Sequence, residues 1–80
     1  MQSAKLLMVE DDADVLNINC EYFRGKGYEI LCSPTLEKAR FLLEEHRPDL
    51  ILLDVMMPDG SGFEFCSELR QKTNAPIIFL

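Results

Sequence analysis

With 80 residues, 48% of them hydrophobic and 28% charged, the chain has room for one small domain and the composition of a globular protein rather than a disordered one. Its net charge of −6 argues against a nucleic-acid surface, which needs clustered Lys and Arg to meet phosphates. No apolar run approaches the ~20 residues that span a bilayer, and the amino terminus runs into acids without a long apolar stretch, so neither a membrane span nor a signal peptide is expected and a cytoplasmic location is.

The first element is KLLMVE (5–10), a short apolar run that stops at acids, as a buried strand does. The segment 12–27 carries Val15, Leu16, Ile18, Tyr22 and Phe23 at spacings near 3.6. It predicts a helix opened by Asp12 or Asp14 as a cap and closed near Gly25–Gly27, with Asn19 unexplained on the apolar stripe. YEILCS (28–33) is a second strand. TLEKARFLLEEH (35–46) is a second helix, with Thr35 as N-cap, Leu36, Ala39, Leu42 and Leu43 as its inner stripe, and Pro48 as its stop. LILLDV (50–55) is a third strand, and residues 62–72 form a third helix that offers Phe63, Phe65, Cys66 and Leu69 to the core. APIIFL (75–80) is a fourth strand. Apolar strands alternating with amphipathic helices, βαβαβαβ, imply a parallel sheet covered on both faces. The three cysteines, Cys20, Cys32 and Cys66, show no C-x-x-C spacing and read as reduced, mostly buried thiols.

Parallel strands bring all their carboxyl ends to one edge, where α/β proteins bind ligands. Glu10 and Asp11 end the first strand, and Asp54 lies near the end of the third. On their own, Glu10, Asp11 and Asp12 read as a helix-capping acid run. With Asp54 arriving on a separate strand, the reading becomes a carboxylate cluster. Like charges packed together raise one another's pKa or recruit a cation, and an oxygen-seeking ion such as Mg²⁺ suits such a set. Asp54 could then be a ligand or also a nucleophile, since a carboxylate can attack phosphorus to form an aspartyl phosphate. The loop MMPDGSG (56–62) gives a close turn beside the site, with Gly60 and Gly62 free to adopt conformations other residues resist. Other polar residues take plainer roles: His46 at a helix end, Asp59 in a turn, Asp12 as a cap, Glu44 and Glu45 on a solvated face.

The stretches LLMVEDDADV, RPDLILLDVMMPDGSGFE and APIIFL resemble the receiver domain of two-component response regulators, in order and spacing along the whole chain. The resemblance implies an α/β, flavodoxin-like (CheY-like) doubly wound parallel sheet in the order 2-1-3-4-5. It implies that Asp54 accepts phosphate from the phosphohistidine of a sensor histidine kinase. By position, Asp11 and Asp54 would ligate Mg²⁺ together with the backbone carbonyl of Met56, and Glu10 would assist through water.

Receivers also carry a Ser or Thr after the fourth strand and a Lys after the fifth, and a last helix-strand-helix. The 80-residue chain has none of these, so residues 1–80 are expected to form a partial receiver with impaired phosphoryl transfer. APIIFL would be an exposed apolar edge strand, and a homo-oligomer through that edge or through exchanged elements is expected. Three other readings compete. A Mg²⁺-dependent aspartyl-phosphate phosphatase would want a second acid where Met56 stands. A nucleotide or flavin module would want a Gly-rich loop where EDDAD stands. The third is a partial receiver that serves only as a binding or assembly element.

Overall fold

Residues 4–80 are described by the computed structural model, and their elements follow the apolar periodicity. In chain order they are β1 (Lys5–Val9), α1 (Ala13–Gly25), β2 (Glu29–Ser33), α2 (Leu36–His46) and β3 (Leu50–Leu53). A two-residue ribbon follows, β4 (Met56–Met57) and β5 (Gly60–Ser61), then α3 (Gly62–Leu69) and β6 (Ile77–Phe79). β2, β1, β3 and β6 lie side by side in that order, and every pairing is parallel.

Side chains alternate across this sheet with the strand period of two. Leu7, Val9, Ile51 and Leu53 point to one face and pack on Leu36, Ala39 and Leu43 of α2 and Phe65 and Leu69 of α3. Leu6, Met8 and Leu52 point to the other and meet Leu16 and Cys20 of α1. Burying each large side chain contributes roughly 1.5–3 kcal/mol, so the face with ten clustered residues outweighs the face with six. The thinner face corrects the expected stripe of α1. Leu16 and Cys20 are buried and Phe23 is half-buried, but Val15, Ile18 and Tyr22 are exposed. Among the described residues α1 is alone on its face, so its flank has nothing to pack against. Asn19 sits near that flank, and its Nδ2 donates to the Val15 carbonyl of its own helix at 2.9 Å.

The cysteines also depart from expectation. Cys20 and Cys32 are joined by a disulfide, and Cys66 is free. Twelve residues separate the pair along the chain, a spacing that carries no disulfide signal. They meet because Cys20 belongs to the buried stripe of α1 while Cys32 lies in register with Met8 on the face that α1 covers.

The helix ends show how local chemistry sets the boundaries. Asp12 caps α1, its Oδ1 accepting from the amides of Asp14 (3.0 Å) and Val15 (3.1 Å). Thr35 Oγ1 caps α2 by accepting from Lys38 N–H. α3 stops at Leu69, about a turn short of the expected 62–72. The amides of Gln71 and Lys72 bond carbonyls three residues back, on Glu68 and Leu69, which tightens the chain into a turn before Pro76 directs it into an extended path. β6 lies at the sheet edge with Ile78, Phe79 and Leu80 exposed.

Asp59 does more than form a turn. Its two carboxylate oxygens accept from the amides of Leu36 (2.9 Å) and Glu37 (3.0 Å), over twenty residues away. It thus joins Thr35 in satisfying the open amides at the start of α2. These amide bonds hold its carboxyl below the usual range. Asp59→Ala should lower the thermal midpoint and speed amide exchange at Leu36 and Glu37 first, as read by circular dichroism and hydrogen exchange. Unchanged exchange at those two amides would refute the clamp.

Candidate functional site

Val9 pairs with Ser33 on one side and Leu53 on the other. The ladder continues one residue further in both directions: Glu10 N–H donates to Ser33 O at 3.0 Å, and Asp54 N–H donates to Val9 O at 3.1 Å. Glu10 is in phase with Leu6 and Met8, and Asp54 with Leu50 and Leu52, so both acids emerge on the same side of the sheet. The chain leaves β1 for β2 on one flank and returns to β3 on the other. The crevice between β1 and β3 is therefore where strand order reverses, the place at which open α/β sheets bind ligands.

The three acids meet there. Glu10, Asp11 and Asp54 each offer a carboxylate oxygen, and these oxygens lie within 4.8 Å of one another. Glu10 is buried, Asp54 half-buried and Asp11 exposed. Burial pushes the Glu10 carboxyl above its usual range, helped by the Asp54 charge and by contacts with Asp11 and Asp54, while the Asp12 N–H that Glu10 Oε1 accepts at 3.0 Å works the other way. The ion pairs found among the described residues, Lys5–Glu29, Arg40–Glu68 and Lys72–Glu44, leave all three acids out. Oxygen donors of one sign, converging without a basic partner, match the ligand preference of a hard divalent cation.

The loop after β3 holds Asp54 in place. Met56 N–H points to Asp54 Oδ1 at 3.3 Å, and the Met56 side chain is exposed. Gly62 N–H donates to Val55 O at 2.7 Å. A Cβ on Gly62 would stand 2.2 Å from the Asp54 carbonyl oxygen, which no side chain tolerates. Gly62 therefore serves close approach: it lets the first turn of α3 rest on the Asp54–Val55 backbone. Gly60, by contrast, has φ of 152° and supplies the backbone freedom expected of it. No signal in the sequence distinguishes these two roles, and the clamp made by Asp59 is equally invisible there. His46 behaves as a helix-end residue whose carbonyl accepts from Lys5 Nζ at 3.2 Å.

Residues 6–80 match the family model of the response regulator receiver domain. The transcriptional regulatory protein YrkP of Bacillus subtilis is 40% identical over 76 residues, covering 95% of this chain and 32% of that protein. The chemotaxis response regulator CheY4 of Vibrio cholerae superposes with a TM-score of 0.92 at 28% identity, covering 98% of this chain and 68% of that one. The BeF3-activated N-terminal receiver domain of Klebsiella pneumoniae RstA gives 0.88 at 31% identity, covering 94% and 64%. The chain thus spans about a third of the curated relatives it matches and about two thirds of the solved receivers.

Proposed function

The chain belongs to the response regulator receiver family of two-component signalling, and from that we propose that Asp54 accepts a phosphoryl group from the phosphohistidine of a sensor histidine kinase, at a Mg²⁺-binding acid cluster. The observation that carries this reading is the meeting of Glu10, Asp11 and Asp54 oxygens within 4.8 Å, from strands more than forty residues apart. Asp11, Asp54 and the backbone carbonyl of Met56 are the proposed protein ligands, with Glu10 acting through water. Bound Mg²⁺ would neutralise the crowded carboxylates and the phosphoryl oxygens, whose charge dominates such a transfer.

The remaining work falls to the chain itself. One carboxylate oxygen of Asp54 forms the new bond to phosphorus as the bond to the kinase histidine breaks. Its half-exposed position leaves room for the donor. Its backbone is fixed by the bond to Val9, and the Met56 amide orients its carboxylate. No ion pair among the described residues brings Lys or Arg to the cluster, so acceptance by these 80 residues alone is proposed to be slow. The open edge of β6 and its exposed Ile78 and Phe79 support self-association, and they favour a second reading in which the stretch acts only as an assembly element. No helix among the described residues is long and apolar enough to cross a membrane, and a cytoplasmic location is proposed with the kinase reading.

Incubation with Mg²⁺ and acetyl phosphate, followed by intact-mass measurement, tests the proposal. The expected result is a gain of one phosphoryl group that a chelator prevents. A gain only in a longer form that carries the Ser or Thr and the Lys of full receivers would assign the weakness to those groups lying outside these 80 residues. No gain in either form overturns phosphoryl acceptance and leaves the assembly reading.

A further inference from the structure

The bond between Cys20 and Cys32 lies outside the acid site and has no part in the chemistry above. Cys20 is buried at 4% exposure among Leu6, Met8, Leu16, Ile30 and Leu52, and Cys32 is half-buried at the margin of the same cluster. Both surroundings are apolar, an environment that also accommodates cysteine as a small reduced side chain. Each cysteine also stands beside an element that positions the acid site. Cys20 is on α1, whose cap is Asp12. Cys32 precedes Ser33, whose carbonyl receives the Glu10 amide.

We propose that Cys20 and Cys32 form a reversible redox site, whose oxidation pins α1 to β2 and stiffens the helix that follows the acid run and the strand whose Ser33 carbonyl holds the Glu10 amide. The oxidant is a small-molecule disulfide such as glutathione disulfide. Cys32, the more accessible of the pair, attacks it as the thiolate and releases one glutathione thiolate, leaving a mixed disulfide on Cys32. The Cys20 thiolate then attacks the Cys32 sulfur and displaces the second glutathione. Two protein thiols lose two electrons and two protons in total, and one glutathione disulfide becomes two glutathione thiols. Closing a loop of this length in the unfolded chain raises the folding equilibrium constant by roughly a hundredfold in the chain-entropy account.

Thiol counting with iodoacetamide under denaturing conditions tests this on the protein equilibrated in reduced or oxidised glutathione. The reduced protein should alkylate at all three cysteines and the oxidised protein at Cys66 alone, with a higher thermal midpoint and slower amide exchange in α1 and β2 in the oxidised form. Cys66→Ser should keep the difference, and Cys20→Ser and Cys32→Ser should each abolish it. Three free thiols after oxidation, a persistent mixed disulfide on Cys32, bonds between chains, or oxidation that leaves midpoint and exchange unchanged would each overturn the proposal. The thiol count on the unsubstituted protein decides even if a serine variant fails to fold.

Discussion

Gly62→Ala is expected to destabilise the protein by about 1–3 kcal/mol, the usual range for forcing atoms into a packed site. The cause is local: the new Cβ would fall 2.2 Å from the Asp54 carbonyl oxygen and 3.0 Å from Val55 Cα. Both are backbone atoms, so no flexible side chain can move aside. Either α3 lifts away, breaking the Gly62 N–H bond to Val55 O and loosening Phe65 and Leu69 from the core, or the Asp54–Val55 backbone shifts and the acid cluster opens. Chemical denaturation should show the lost stability, and Mg²⁺ titration the weakened site. Gly25→Ala is the control, because nothing lies within 4 Å of a Cβ there. Equal stability of Gly62→Ala and the parent would refute the close-approach argument.

Asp54→Asn is expected to take no phosphoryl group and yet to be more stable than the parent in metal-free buffer near neutral pH. Two unit charges about 4 Å apart repel by about 1 kcal/mol in water and about 4 kcal/mol at the effective dielectric of a protein surface. Asp11 is exposed and Asp54 half-buried, so the gain should lie near the lower figure. The pH dependence follows from the shifts. Glu10 has a raised pKa, so its contribution is present below the unfolded carboxylate value and is lost as pH rises through the raised one. Asp59 and Glu68 have lowered values, held down by the α2 amides and by Arg40 respectively. Their contributions are present above the unfolded value and are lost as pH falls through the lowered ones. The metal-free parent should therefore be most stable on the acid side of neutral. Asp54→Asn should flatten the decline toward neutral pH, since the Asp54 charge is one cause of the Glu10 shift. Added Mg²⁺ should stabilise the parent and not the variant, in proportion to its binding. Calorimetry across mildly acidic to neutral pH, with and without Mg²⁺, reads all of this. A variant no more stable than the parent without metal would remove the charge-crowding argument.

The same two residues show what could be read in advance. Asp54 stands out in sequence because a carboxylate ends an otherwise apolar strand, and its meeting with Glu10 and Asp11 follows once those strands are neighbours. Gly62 does not stand out, because a glycine before a helix serves a turn or a close contact equally well. The stripe of α1 was half legible: its period named Leu16 and Phe23 correctly but also included Val15, Ile18 and Tyr22, which are exposed. Periodicity gives the direction of a stripe, whereas its buried width depends on which neighbours are present.

The amino-acid order alone determined the alternation of strands and helices, the caps at Asp12 and Thr35, and the placing of acids at strand ends, because these depend on local spacing and on side chains within a few residues. The order β2-β1-β3-β6 is the one the family resemblance implied, whereas tertiary structure alone decided the 4.8 Å spacing of the three carboxylates, the clamp from Asp59 to α2 and the joining of Cys20 to Cys32. Those features link positions far apart in the chain, and only strand register and helix packing bring such positions within bonding distance.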